Sequence, residues 1–176
     1  MDLIDQLTAE HREAEGLIAQ LKDTEPGSER DHLVDQLTGA LRTHMAVEER
    51  FLYPVVADAL GAEPEEEAEV EHQLARDGVA KLVELRAEPG FGAAVDMLEA
   101  GIAHHVHEEE SEIFPKLRKT AAAQIAQLDP DECKTAVEND PVDLTREELY
   151  RRAQEADIPG RSSMTKDELA ESLADT

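Results

Sequence analysis

Six side chains stand out because their types return at one fixed interval. His11 recurs as His72, His44 as His105 and Glu48 as Glu109, each pair 61 positions apart. Each copy therefore carries a histidine followed by an H-x3-E motif. A spacing of four puts His44 and Glu48 one turn apart on a single helix face, and His105 and Glu109 likewise. A lone histidine on such a face is ordinarily a hydrogen-bonded core residue. Six ionisable groups related by one interval are different, because each unpaired carboxylate facing a core costs several kcal/mol. A pair of cations supplies the missing charge. Imidazole and carboxylate suit iron, and also manganese or zinc. Two glutamates from facing helices can bridge two cations capped by four imidazoles, leaving open positions for a small ligand such as dioxygen or peroxide.

The repeat extends past the ligand candidates. Glu10-His11 matches Glu71-His72, Glu49 matches Glu110, and Tyr53-Pro54 matches Phe114-Pro115. Such an interval marks a duplicated helix pair. Four long helices follow from the hydrophobic period. The first spans about 3–23, with a stripe at Ile4, Leu7, His11, Ala14, Ile18 and Leu21. The second spans about 29–60, with its stripe at Val34, Leu37, Leu41, His44, Glu48, Phe51 and Val55. The third covers about 64–87 through Ala68, His72, Ala75, Val79, Leu82 and Arg86. The fourth covers 91–117 or beyond through Val95, Leu98, Ile102, His105, Glu109 and Ile113. Turns at 25–28, Gly61 and Pro89-Gly90 are short, so successive helices run antiparallel and the fold class is all-α, an up-down-up-down four-helix bundle. At about 100° per residue, His104 and His107 lie off the His105 stripe and His32 lies off its own, so these three belong on the surface.

Pro54 and Pro115 fall inside their helices, where each removes a backbone bond and should kink or bulge the chain. A π-bulge at Pro54 would bring Tyr53, five residues after Glu48, onto the ligand face. Tyr53 is then a candidate seventh ligand or an outer hydrogen-bond donor; otherwise it is an ordinary tyrosine at a helix end. Glu49 and Glu110 lie off the stripe and either accept from ligand imidazoles or solvate the surface.

The order His, H-x3-E, His, H-x3-E with Tyr-Pro or Phe-Pro behind it resembles the hemerythrin-like (HHE cation-binding) family over about residues 1–118. The resemblance implies a four-helix bundle (residues 1–128) around two iron ions with an oxo or hydroxo bridge. By that likeness His11, His44, Glu48, His72, His105 and Glu109 are the metal ligands, with manganese or zinc the lesser alternatives. Oxygen-carrying members place a second histidine where this chain has Arg76, and an aspartate where it has Glu109. The fit is therefore closer to bacterial members, with implied roles in peroxide decomposition, response to dioxygen or nitric oxide, and iron sensing. The implied function is reaction with O2 or hydrogen peroxide, including catalase-like dismutation. The alternative is a sensor or binding protein for O2, nitric oxide or iron without turnover.

A linker is expected at 129–142, where Asp129-Pro130-Asp131 reads as a break. Residues 143–176 resemble the Rho termination factor N-terminal (SAP-like) helix–loop–helix module, with helices at about 145–156 and 165–173 that open on the capping boxes Thr145/Glu148 and Thr165/Glu168. Residues 141–176 hold five Lys/Arg against nine Asp/Glu. Nucleic acid binding needs clustered cations, so a protein partner fits this segment better. The whole chain carries a net charge of −25, which repels nucleic acid and anionic membrane alike. No apolar run approaches the ~18 residues of a membrane span. The single Cys133 excludes an internal disulfide, and a cytoplasmic location is expected.

Overall fold

The computed structural model describes residues 1–138, 140 and 146–174. They form helices joined by short connections, with no strand among the described residues. The chain divides into two compact units, Met1–Cys133 and Lys134–Thr176. None of the described helices is long and apolar enough to cross a membrane.

The first unit is a bundle of four rods. Rod one is α1 (Leu3–Lys22). Rod two joins α2 (Ser28–Val47) to α3 (Tyr53–Leu60) through a wide π-helical turn, Glu48–Leu52. Rod three is α4 (Glu63–Leu85). Rod four joins α5 (Phe91–Glu108) to α6 (Phe114–Thr120) through a second π-helical turn, Glu109–Ile113. α1 packs on α2 and α5, and α4 packs on the same two, which closes a square. Local chemistry sets the rod ends. The Asp2 carboxylate accepts from the Asp5 backbone N–H at 2.8 Å, and Asp5 returns the bond to Asp2 at 3.2 Å, a reciprocal cap for α1. Gly61 and Gly90 close their turns at φ of +98° and +100°, a region that glycine enters without penalty. Gly78 lets α4 and α5 approach, since a Cβ there would stand 3.0 Å from Leu98 Cδ1.

The two π turns sit where the prolines predict a distortion. The Tyr53 N–H bonds to the Glu48 carbonyl and the Phe114 N–H to the Glu109 carbonyl, each five residues back. Pro54 and Pro115 have no N–H to give, and their rings would crowd a carbonyl four residues back; a wider turn relieves both problems. The extra residue also rotates the helix beyond it. A uniform helical period expects Phe51 and Val55 inward, but Leu52, Tyr53 and Val56 are the buried ones. Apolar layers enclose the ligand level from both ends. Ile18, Leu37, Leu82 and Leu98 lie to one side. Leu3, Leu7, Val56 and Leu117, buried toward the other rod ends, lie opposite. Beyond Thr120 the fourth helix does not simply continue: the backbone bends at Ala121 before the single turn α7 (Ala122–Ile125).

The expected linker at 129–142 contains a helix, α8 (Pro130–Glu138). The Asp-Pro pair that reads as a break is a start signal. The Asp129 carboxylate accepts from the Glu132 N–H at 3.0 Å, and Pro130 occupies the first helical position, where its missing N–H costs nothing. In the second unit α9 (Arg146–Glu155) and α10 (Lys166–Ala174) pack around Leu149, Ala153, Ile158 and Leu169. Thr165 and Glu168 form the anticipated capping box. The other anticipated box, Thr145/Glu148, lies outside the described residues.

Candidate metal centre

The four rods deliver one histidine each to a common level: His11 from α1, His44 from α2, His72 from α4 and His105 from α5. Glu48 and Glu109 open the two π turns, and all six residues are buried. Glu48 reaches across the bundle. Its Oε1 lies 3.1 Å from His44 Nε2 and 4.0 Å from His11 Nε2, while its Oε2 lies 3.2 Å from His72 Nε2 and 3.8 Å from His105 Nε2. Glu109 Oε2 stands between the two sides, 3.3 Å from His11 Nε2 and 3.6 Å from His105 Nε2. The layer thus has two lobes, one of His11 and His44 and one of His72 and His105, with both carboxylates between them.

Each imidazole is held from outside through its Nδ1. His11 donates to Glu110 at 2.9 Å, His44 to Glu10 at 3.0 Å, His72 to Glu49 at 2.8 Å and His105 to Glu71 at 2.9 Å. A carboxylate can only accept, so each Nδ1 carries the shared proton and each Nε2 faces inward. Arg12 pairs in turn with Glu110, and Arg76 with Glu49 at 2.6 Å. The roles of Glu10 and Glu71 are missed by a search for stripes, since both lie off them. The available signal is the repeated Glu-His dipeptide at 10–11 and 71–72.

The inward atoms lack donors. Nε2 of His11, His44 and His105, both Glu48 oxygens and Glu109 Oε2 are buried with no hydrogen-bond partner. Buried acceptors in this condition are costly on their own, and cations are what satisfies converging nitrogen and carboxylate lone pairs. The donor set therefore fits a metal pair. The model of the hemerythrin HHE cation binding domain matches residues 2–117, well over half of the chain. The chain belongs to the hemerythrin HHE family.

Two proteins illustrate the kinship. An uncharacterised hemerythrin-like protein of Schizosaccharomyces pombe is 29% identical over 119 residues, which cover 65% of this chain and 59% of that protein. The present chain thus spans about three fifths of that relative's length. The crystal structure of a hemerythrin HHE cation binding domain-containing protein from Mycobacterium kansasii superposes with a TM-score of 0.61 at 19% identity. It covers 78% of this chain and 90% of its own, and it speaks for the fold alone.

In this hemerythrin-like chain the π turn carries Tyr53 into the ligand layer. Tyr53 is 1% exposed. Its hydroxyl donates to Glu109 Oε1 at 3.2 Å and lies 3.2 Å from His72 Nε2. An ordinary helix-end tyrosine would not be so placed. Burial, with Glu48 and Glu109 nearby, pushes its pKa upward, so the group holds its proton. The repeat mate Phe114 stacks on His11 with ring centroids 6.0 Å apart. His32, His104 and His107 are exposed, as their off-stripe positions predict.

The charges of the metal-free layer balance through protons. Burial alone would lower the His44 pKa, but Glu48 and the bond to Glu10 outweigh it and raise it to about 10. His105 is likewise lowered by burial and raised more strongly by Glu48 and Glu71, to about 11. Burial disfavours Glu48 ionisation, yet His44, His105 and His72 hold its pKa well below the usual carboxylate range. Glu109 moves the other way, raised by burial and by the neighbouring Glu48.

Proposed function

We propose that the buried layer holds two iron ions and that the protein reacts there with dioxygen or hydrogen peroxide, including decomposition of peroxide to dioxygen and water. His11 and His44 would hold one cation and His72 and His105 the other, with Glu48 and Glu109 shared. The observation that carries this reading is the span of Glu48, whose two oxygens face the two histidine lobes separately. Imidazole and carboxylate ligands suit iron, while manganese and zinc accept the same donors. When bound, a pair of irons supplies redox chemistry toward dioxygen or peroxide.

The chain's own residues set the conditions for that chemistry. Apolar layers on both sides keep bulk water from the centre, which strengthens each electrostatic contact inside. The four outer carboxylates fix the imidazole tautomers. Tyr53 holds a proton aimed at Glu109 Oε1, which orients that carboxylate and offers a hydrogen bond at the edge of the layer. Together with the dry, enclosed setting, one phenolic proton donor favours a small substrate over elaborate organic chemistry.

A second reading rests on the separate compact unit at Lys134–Thr176. In it the centre binds O2, nitric oxide or iron without turnover, and residues 143–176, the Rho-like module, report its state to a protein partner. Metal analysis with a visible spectrum of the untreated protein tests the iron pair; zinc alone at two per chain would overturn it. Repeated evolution of dioxygen from added peroxide, unaffected by deleting residues 141–176, supports turnover. A stable reversible adduct with no turnover supports sensing instead.

A further inference from the structure

A cleft of about 270 Å³ opens between the start of α4 and the second π turn, and it leads to one lobe of the buried layer. Its wall carries Glu63, Glu67, Glu71, Glu108 and Glu112, while the cation there, Lys116, pairs with Glu112 at 3.1 Å. His105 and Glu109 also line it, and Glu109 is 1% exposed with its Oε2 unpartnered. The cleft therefore runs from an acidic surface to two residues of the buried layer.

A second cluster of ligand-type atoms stands beside this opening. Glu71, His104 and Glu108 offer atoms that all lie within 4.8 Å of one another. His104 Nε2 lies 3.2 Å from Glu71 Oε1 and 3.6 Å from Glu108 Oε1. The other oxygen of Glu71 accepts from His105 Nδ1 at 2.9 Å. One carboxylate thus touches both the surface cluster and a histidine of the buried layer. The cluster is confined to the second repeat. The 61-residue interval maps Glu71, His104 and Glu108 onto Glu10, Thr43 and Val47, and Val47 is 1% exposed. Glu10 alone is retained there, so the outer carboxylate was kept in both copies while the two surface ligands occur in one.

We propose that Glu71, His104 and Glu108 form a surface divalent-cation site that captures the metal and passes it down the acidic cleft to the buried centre. The proposal rests on the reading that the buried layer binds metal. Imidazole with two carboxylates suits first-row divalent ions. The acidic walls raise the local cation concentration, and fields of this kind alter association rates by 10–10³-fold. Site and cleft lie on the His72/His105 side, so this lobe is the one reached first.

The test is Co²⁺ uptake by metal-free protein, followed by stopped-flow absorption at low ionic strength, with bound metal counted at the end. The variant His104→Ala/Glu108→Gln should load about tenfold more slowly or worse, yet reach the same two ions in the buried layer. Glu25→Gln/Glu29→Gln, which removes two exposed charges outside the cleft, should load within about twofold of the parent. Added salt should narrow the difference between parent and variant. Equal uptake rates for parent and His104→Ala/Glu108→Gln would overturn the capture site. Failure of the parent itself to load, or loading that Glu48→Ala leaves unchanged, would instead overturn the reading of the buried centre.

Discussion

The two copies of the repeat bring the same set of groups to the buried layer and differ in what stands beside it. Both supply a histidine, an H-x3-E pair, an outer carboxylate before the first histidine, another after the ligand glutamate, and a proline-induced wide turn. Two of their differences bear on the buried layer. The first copy puts Tyr53 against His72, and the second puts Phe114 against His11. The second copy has His104 and Glu108 beside its outer carboxylate, where the first has Thr43 and Val47. Both halves thus contribute alike to the buried His/Glu layer. The Tyr53 hydroxyl and the acidic cleft both gather on the His72/His105 lobe.

Substitutions in each copy put this contrast to the test. The largest effect is expected from Glu48→Ala, which removes the group that spans both lobes. Bound metal, counted by elemental analysis, should fall by at least one ion per chain; full content would refute the bridging role. Replacing an outer carboxylate, Glu10→Gln on one lobe or Glu49→Gln on the other, should weaken metal affinity by about 10–100-fold, as competition with a chelator measures. Comparable losses would show that both lobes matter equally for holding. Tyr53→Phe makes the lobes alike. Metal content should persist while the rate of peroxide decomposition drops about tenfold or more, the scale of one lost hydrogen bond to a charged group. An unchanged rate would remove Tyr53 from the chemistry.

The pH response separates loaded from metal-free protein. His44 and His105 have folded-state values of about 10 and about 11, above the ordinary 6.5. Their protonation therefore stabilises the metal-free fold fully below about pH 6.5 and ceases to do so as the pH climbs through 10 to 11. Thermal melts of the metal-free chain should decline over that window, and those of the metal-loaded chain should not follow. The smallest effect belongs to His107→Ala. This exposed residue should change stability by no more than about 0.5 kcal/mol and leave metal content alone.

Much of this molecule can be read from its residues because the repeat filters noise. The four rods, their turns and the convergence of six side chains follow from periodicity and one interval. Positions after Glu48 do not, since a π turn changes the phase and a uniform count then selects Phe51 and Val55 in place of Leu52, Tyr53 and Val56, whereas Ile113 after Glu109 is buried as its stripe expects. Pro54 shows that a distortion must occur but not how far it rotates the next residue. Glu10 and Glu71 escape notice for another reason: a histidine's outer partner need not share its stripe, only its neighbourhood. Asp129-Pro130 misleads as a break because the same dipeptide that ends one helix can cap the next.

The outer carboxylates cross between copies. His11 of the first is steadied by Glu110 of the second, and His72 of the second by Glu49 of the first. One hairpin alone would leave its leading imidazole free to spin, with nothing to choose its tautomer. Such a half would hold a cation more weakly by itself than paired with its twin. The present polypeptide reads as that pairing fused into a single thread, and cutting it in the loop around Gly61 should give two fragments that recover full metal affinity only when mixed.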